Sequence, residues 1–241
     1  LLLDDKMKVS VAVPVFEYYG RGVEVLDDML RTISIQTLKD VEVVISDHSK
    51  NDDIENYCKL NEYNLNIKYV RNEKDRGNPA LNTNNAIDHC SGEIIKVFQQ
   101  DDFFFDTEAL EVMYREMAHS DKKWFVCGAI HTRDDGRSFF NPMLPRWDEK
   151  MILEDQHNFI GGVSVLSIKQ EVKTRFDLNV RMLLDVDFYH HTMVEYGMPI
   201  LYQDILIGNR VRNSDTLMSE ISEDEVIEEF KYVHKKYGIV K

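Results

Sequence analysis

Apolar and polar positions along this chain switch repeatedly between two spacings. Residues 8–16, KVSVAVPVF, are a nearly unbroken β-branched and apolar run, the pattern of a strand buried on both faces. Over 23–37, Leu26, Met29, Leu30 and Ile33 recur three and four apart, which is one face of a helix. The alternation continues with a strand at 41–46, a helix at 52–60, a strand at 67–70 and a helix at 79–89 that has Pro79 in its first turn. A strand at 94–98, a helix at 107–119 and a strand at 124–130 follow. Strands alternating with helices predict an α/β domain with a mostly parallel central sheet flanked by helices. Ligands of such sheets bind beyond the carboxyl ends of the strands.

The segments that follow the strands are polar and turn-forming: PVFEYYGRG after the first, SDHSKND after the second, NEKDRGNP after the third and QQDD after the fourth. Asp101 and Asp102 stand side by side in the last of these. Neighbouring carboxylates raise each other's pKa unless a cation is present. Two readings stand at this point, a solvated acidic turn or a divalent-metal site. GRGVEV has Val25 where a dinucleotide fingerprint needs its third glycine, and no phosphate-binding G-x-x-x-x-G-K-[ST] loop is present. A phosphate cradle made only of backbone amides is therefore not indicated, and the alternative is a cation that neutralises a diphosphate.

The balance of charge narrows the partners. A net charge of −14 argues against broad binding to nucleic-acid backbones. Three widely spaced cysteines without a C-x-x-C predict neither a disulfide framework nor a zinc site, and point to a reducing, cytoplasmic setting. The opening LLLDDK is too acidic for a signal peptide, and no apolar run reaches the ~18 residues of a membrane span. Residues 1–7 read as a tag remnant or flexible start, 8–219 as the main domain, and 220–241 as a C-terminal helix.

Four segments, in order, resemble the family 2 inverting glycosyltransferases of the GT-A fold. They are VSVAVPVFE, VEVVISDHSKND, NEKDRGNPALNTNNAIDHCSGEIIKVFQQDD and FDLNVRMLLDVDFYHHTMVEYG. The resemblance implies a single GT-A domain, with residues 8–105 as its nucleotide-binding half and 106–219 as its acceptor and catalytic half. It implies transfer of a sugar from a nucleoside-diphosphate sugar, most simply a UDP-sugar, to a glycan or other acceptor hydroxyl. Mn²⁺ or Mg²⁺ is the implied cofactor, with Asp101 as first metal ligand and Asp102 as second. Pro14, Phe16 and Glu17 match the wall of the nucleobase site. Asp47 matches a residue that accepts the uracil N3–H, with a turn-capping role as its alternative. Arg76 matches a contact to base or phosphate, and Asp185 the catalytic base, with Asp187 the nearest competitor in register.

Departures from the family pattern are equally specific. Gln99 stands where the metal motif usually begins with Asp; it brings a ribose hydrogen bond but no charge. Leu184 replaces the first acid of the later acidic pair. Arg212 falls near a position that often holds a metal-binding His, where it would meet a phosphate instead. The 139–147 loop with Trp147 is a candidate acceptor border, and glycines in 159–165 permit close backbone approach to a sugar. His190 and His191 are adjacent on a helix and point apart. Two rivals remain. A sugar-phosphate nucleotidyltransferase would need a lysine after the first strand, and none occurs before Lys39. A non-catalytic nucleotide-sugar-binding module with a decayed site would account for Gln99, Leu184 and Arg212. The chain also reads either as a soluble enzyme or as one domain of a longer multidomain protein.

Overall fold

The computed structural model describes residues 7–133, 136–148, 158–211 and 221–239. A nine-stranded sheet runs through it in the order β3-β2-β1-β4-β8-β6-β9-β5, with β7 paired to β6. Strands β1 (Val9–Val15), β2 (Val41–Asp47), β3 (Asn66–Arg71) and β4 (Ile94–Val97) are mutually parallel. Helices α1 (Gly22–Ser34), α2 (Asp53–Leu60) and α3 (Pro79–Asp88) connect them. The three inner strands of this half are buried almost throughout, while edge strand β3 alternates exposed and half-buried positions. That is the reason KVSVAVPVF carries no polar alternation: both faces of β1 meet helices.

The second half of the sheet is more mixed than the sequence predicts. After β5 (Phe103–Phe104), α4 (Ala109–Ala118) and β6 (Trp124–Thr132) come β7 (Phe140–Met143), β8 (Leu166–Lys169), α5 (Leu184–Tyr196), β9 (Ile200–Arg210) and α6 (Glu223–Lys236). Strand β8 lies antiparallel between β4 and β6, and β9 runs parallel to β6 and antiparallel to β5. Short strands such as β5 and β8 take their direction from the neighbours they close against, which local periodicity does not encode.

Helix α3 fixes the carboxyl edge of the parallel strands. Asn78 caps it, its Oδ1 accepting from the Leu81 amide at 3.1 Å, and Pro79 occupies its first turn. One turn on, buried Asn82 donates to the carbonyls of Val15 and Ser46, at 3.1 and 3.0 Å, and accepts from the Ser46 hydroxyl at 2.7 Å. One amide side chain therefore ties the ends of β1 and β2 together. No helix among the described residues is long and apolar enough to cross a membrane.

Candidate active site

A cleft of about 480 Å³ opens at that carboxyl edge, and Pro14, Phe16, Glu17, Arg76, Gln99 and Asp101 all line it. Its floor is held by short bonds between loops distant in sequence. Gln100 accepts from the Phe16 amide at 3.1 Å and donates to the Gly22 carbonyl at 2.8 Å, so one buried side chain locks the loop after β1 to the acidic turn. Glu17 accepts from the Lys50 amide at 3.1 Å, linking the loops after β1 and β2. Phe16 packs at 5.1 Å from Tyr18, whose backbone takes a left-handed φ of 47° and whose hydroxyl donates to Asp101 Oδ2 at 3.3 Å. A left-handed tyrosine is strained and persists only where its surroundings hold it.

The two acids of the turn have different surroundings. Asp101 is half-buried and faces the cleft, with its carbonyl accepting from Arg210 at 3.0 Å. Asp102 is buried and does not line the cleft; it is hydrogen-bonded by the side chains of Ser164 and Asn209. Burial, and then the charge of Asp101, push its carboxyl up to about 7. The expected second metal ligand is thus turned inward.

Asp47 is likewise fully buried. Its Oδ1 accepts from the Ser49 amide and its Oδ2 from the Tyr69 hydroxyl, both at 2.7 Å. One oxygen serves the turn and the other ties it to β3, so the structure does not bring Asp47 to the cleft surface. Its neighbour His48 lines the cleft instead. Nε2 of His48 is buried and has no hydrogen-bond partner among the described residues. Burial pushes the ring's pKa below its ordinary value, while the nearby Asp47 works in the other direction.

Asp185 sits in the first turn of α5. Asn158 donates to its Oδ2 at 2.7 Å and the Val186 amide to its Oδ1 at 2.8 Å. Burial raises its pKa to about 6 against these bonds. Asp187 is spent elsewhere, in an ion pair with Lys236 at 2.8 Å. The segment carrying Asn158 also carries Ser164, whose Oγ accepts from the Gln99 amide at 2.9 Å. One short stretch therefore touches both Asp185 and the acidic turn. Gly161 within it has φ +126°, and the Tyr189 hydroxyl bonds the carbonyls of Gly161 and Gly162.

Several of these residues were not singled out by sequence: Gln100, His48, Asn158, Ser164, Arg210 and Lys96. Only Lys96 carried a signal, a cation inside the apolar run IIKVF. It is fully buried, donates to the carbonyls of Ser164 and Leu166, and is pushed down to about 8 by that burial. Trp147 packs edge-on against Trp124 at 6.0 Å and borders a separate, open depression with Arg146 and Phe159. His190 meets Tyr237 while His191 meets Glu195, as divergent neighbours on a helix must. Arg212 lies outside the described residues.

A mixed α/β sheet with a cleft at the carboxyl ends of its parallel strands is a fold of the GT-A type. The glycosyl transferase family 2 model matches residues 10–173, and the chain belongs to that family. A Campylobacter jejuni GalNAc(5)-diNAcBac-PP-undecaprenol beta-1,3-glucosyltransferase is 34% identical over 96 residues, covering 39% of this chain and 30% of that protein. An uncharacterized glycosyltransferase of Rickettsia felis is 30% identical over 110 residues, covering 46% of this chain and 17% of its own length. The chain thus spans less than a third of these relatives. Among solved structures, S. aureus TarS 1–349 in complex with UDP-GlcNAc superposes with a TM-score of 0.68 at 18% identity, over 94% of this chain and 66% of that one. The mannosyltransferase PcManGT from Pyrobaculum calidifontis, in complex with GDP-Man and Mn²⁺, gives 0.60 at 17% identity, over 86% and 57%.

Proposed function

We propose that this chain transfers a glycosyl group, with inversion, from a nucleoside-diphosphate sugar of the UDP type to an acceptor hydroxyl. The observation that carries this reading is the coupling of two acids through one segment. Residues 158–164 bond the acidic turn at Gln99 and the raised carboxyl of Asp185. In the proposed reaction the acceptor oxygen bonds to the anomeric carbon as the bond to the diphosphate breaks, and the hydroxyl proton passes to Asp185. A carboxylate with a pKa near 6 is ionised at neutral pH yet basic enough to help.

The donor set at the cleft fits a hard divalent ion of the oxygen-binding kind. Among the described residues no cluster of three or more His, Cys, Asp or Glu side chains forms a protein cage. Asp101 presents a carboxylate there, with Glu17 on the same cleft, and Mg²⁺ or Mn²⁺ is often held by one or two carboxylates plus substrate phosphates. Such an ion, bound at Asp101, would supply positive charge to the departing diphosphate. Asp102, with its hydrogen bonds from Ser164 and Asn209, shapes the turn.

Nucleobase recognition falls to His48, with Asp47 as the residue that holds its loop. The ring's backbone contact is with Lys74, and that contact favours the protonated ring. An imidazole does this by donating its N–H. A neutral ring that donates one N–H keeps a lone pair on its other nitrogen, the match for the imide N–H of uracil. Pro14 and Phe16 supply the apolar wall, Gln99 a hydrogen bond to the ribose, and Arg76 positive charge.

Release of UDP from a panel of UDP-sugars, with Mn²⁺ and with or without acceptor, tests the reading. Acceptor-dependent release with an inverted product anomer is expected. A chain that binds UDP-sugar but releases nothing with any acceptor would be the non-catalytic binding module instead.

A further inference from the structure

Helix α6 grips the first turn of α5 from outside the sheet. Glu229 accepts the backbone N–H groups of Arg181, Met182 and Leu183 at 2.8, 2.7 and 2.6 Å. The first amides of a helix have no partners inside it, and the N-cap of α5, Leu183, has no side chain that could accept a bond. Glu229 from another element instead fixes the turn that leads into α5, since Arg181 and Met182 precede the helix and Leu183 is its N-cap. Seven residues further along α6, Lys236 donates to both oxygens of Asp187 at 2.8 and 2.9 Å and to Asp177 at 2.8 Å. Tyr237 adds a bond to Asp187 Oδ1 at 2.8 Å. Asp187 and Val233 are each 1% exposed, so the contact is a packed one.

These bonds fall on residues 181–183 and on 187, on either side of Asp185. We infer that Glu229 and Lys236 are positioning residues: they hold the backbone of this turn so that the Asp185 carboxylate stays where the acceptor proton must go. The inference rests on Asp185 being the base. Among the described residues the Asp185 side chain bonds Asn158 and the amides of its own turn, so its place is set largely by its backbone. A displacement of ~1 Å at a reacting group costs on the order of a hundredfold in rate. Neither Glu229 nor Lys236 lines the nucleotide cleft. Losing them should therefore act on turnover and leave donor binding alone, a separation that a loss of general stability does not produce.

The test compares Glu229→Ala, Glu229→Gln, Lys236→Met and Asp185→Asn in the full chain, with Glu228→Gln as a surface control on the same helix. Each is assayed for kcat at saturating UDP-sugar, for UDP affinity, and for folded fraction at the assay temperature. Glu229→Ala and Lys236→Met should lower kcat by about tenfold or more, with UDP affinity within about twofold of the parent. Glu229→Gln, which keeps one acceptor oxygen, should fall between, and Glu228→Gln should match the parent. If Glu229→Ala does not fold, Glu229→Gln and Lys236→Met decide. Parental kcat in the folded Glu229 and Lys236 variants, with Asp185→Asn dead, overturns the positioning role while sparing the base. So does a kcat loss matched by the loss of UDP binding or of folded protein. An active Asp185→Asn removes the base assignment and the inference with it.

Discussion

Asn158 donates both to Asp185 Oδ2 at 2.7 Å and to the Gly161 carbonyl at 2.8 Å, so one amide orients the candidate base and closes the glycine turn beside it. Donation to the carboxylate favours its ionised form and holds its pKa down against burial. The parent should lose kcat as pH falls through about 6. Asn158→Leu should move that limb to higher pH, so the variant suffers more at pH 6 than at pH 8. A pH–rate profile with an unmoved limb would remove Asn158 from the proton-transfer step.

Asp185→Asn should keep UDP affinity within about threefold while transfer falls ~10²-fold, the range for losing general-base help. Its stability should change in a defined direction. The folded pKa, about 6, lies above the ordinary value of 3.8. Ionisation therefore opposes folding, with no effect below about 3.8 and full effect above about 6. Thermal melts should show Asp185→Asn gaining on the parent at pH 8 but not at pH 3. Asp187→Asn should do the opposite and destabilise, because it removes the buried carboxylate that pairs with Lys236 and leaves that lysine with Asp177 alone.

Asp101→Ala should abolish transfer and weaken UDP binding chiefly when Mn²⁺ is present. Asp102→Asn, altered at a buried position that faces Ser164 and Asn209, should retain most of the metal dependence. Equal UDP affinity in EDTA and in Mn²⁺ for the parent would count against a metal at Asp101.

His48→Ala should weaken UDP binding by roughly 1–3 kcal/mol, the cost of an unpaired buried group. The parent should bind 3-methyl-UDP, which lacks the imide N–H, about as poorly as His48→Ala binds UDP. In His48→Ala the methyl group should make little further difference. If the methyl penalty is the same in both proteins, the imide is read elsewhere. Asp47→Ala should lower the melting temperature, since it strands the Ser49 amide and the Tyr69 hydroxyl.

Gly208→Ala should disturb the cleft from behind. A Cβ there would lie 2.1 Å from the Phe103 ring, which packs next to the acidic turn and under the Arg210 guanidinium at 4.7 Å. The ring must move, at a cost of about 1–3 kcal/mol for overpacking. Calorimetry and UDP titration should both register the change.

The chain's own pattern determined the first half of the molecule. Runs such as VSVAVPV and VEVVIS are buried almost throughout, as strands of a parallel sheet under helices are. The chemistry of turns placed Pro79 at the start of α3 and gathered Pro14, Phe16, Glu17, Arg76, Gln99 and Asp101 on one edge, because parallel strands end their loops on the same side. Tertiary structure decided what local spacing does not contain. Strands β8 and β9 pair with elements far away in sequence, so their direction is set by the neighbour that offers free hydrogen-bonding groups. Asp101 and Asp102 are identical in sequence terms, yet Ser164 and Asn209 reach one and the cleft receives the other. Asp47 and His48 divide in the same way: Tyr69 and the Ser49 amide occupy the first, while Nε2 of the second has no partner among the described residues. Asp185 and Asp187 lie two residues apart, and the return of α6 with Lys236 is what claims one and leaves the other beside Asn158. In each pair the deciding partner comes from a distant segment of chain, and a side chain's protonation and reach follow from the partners folding brings to it.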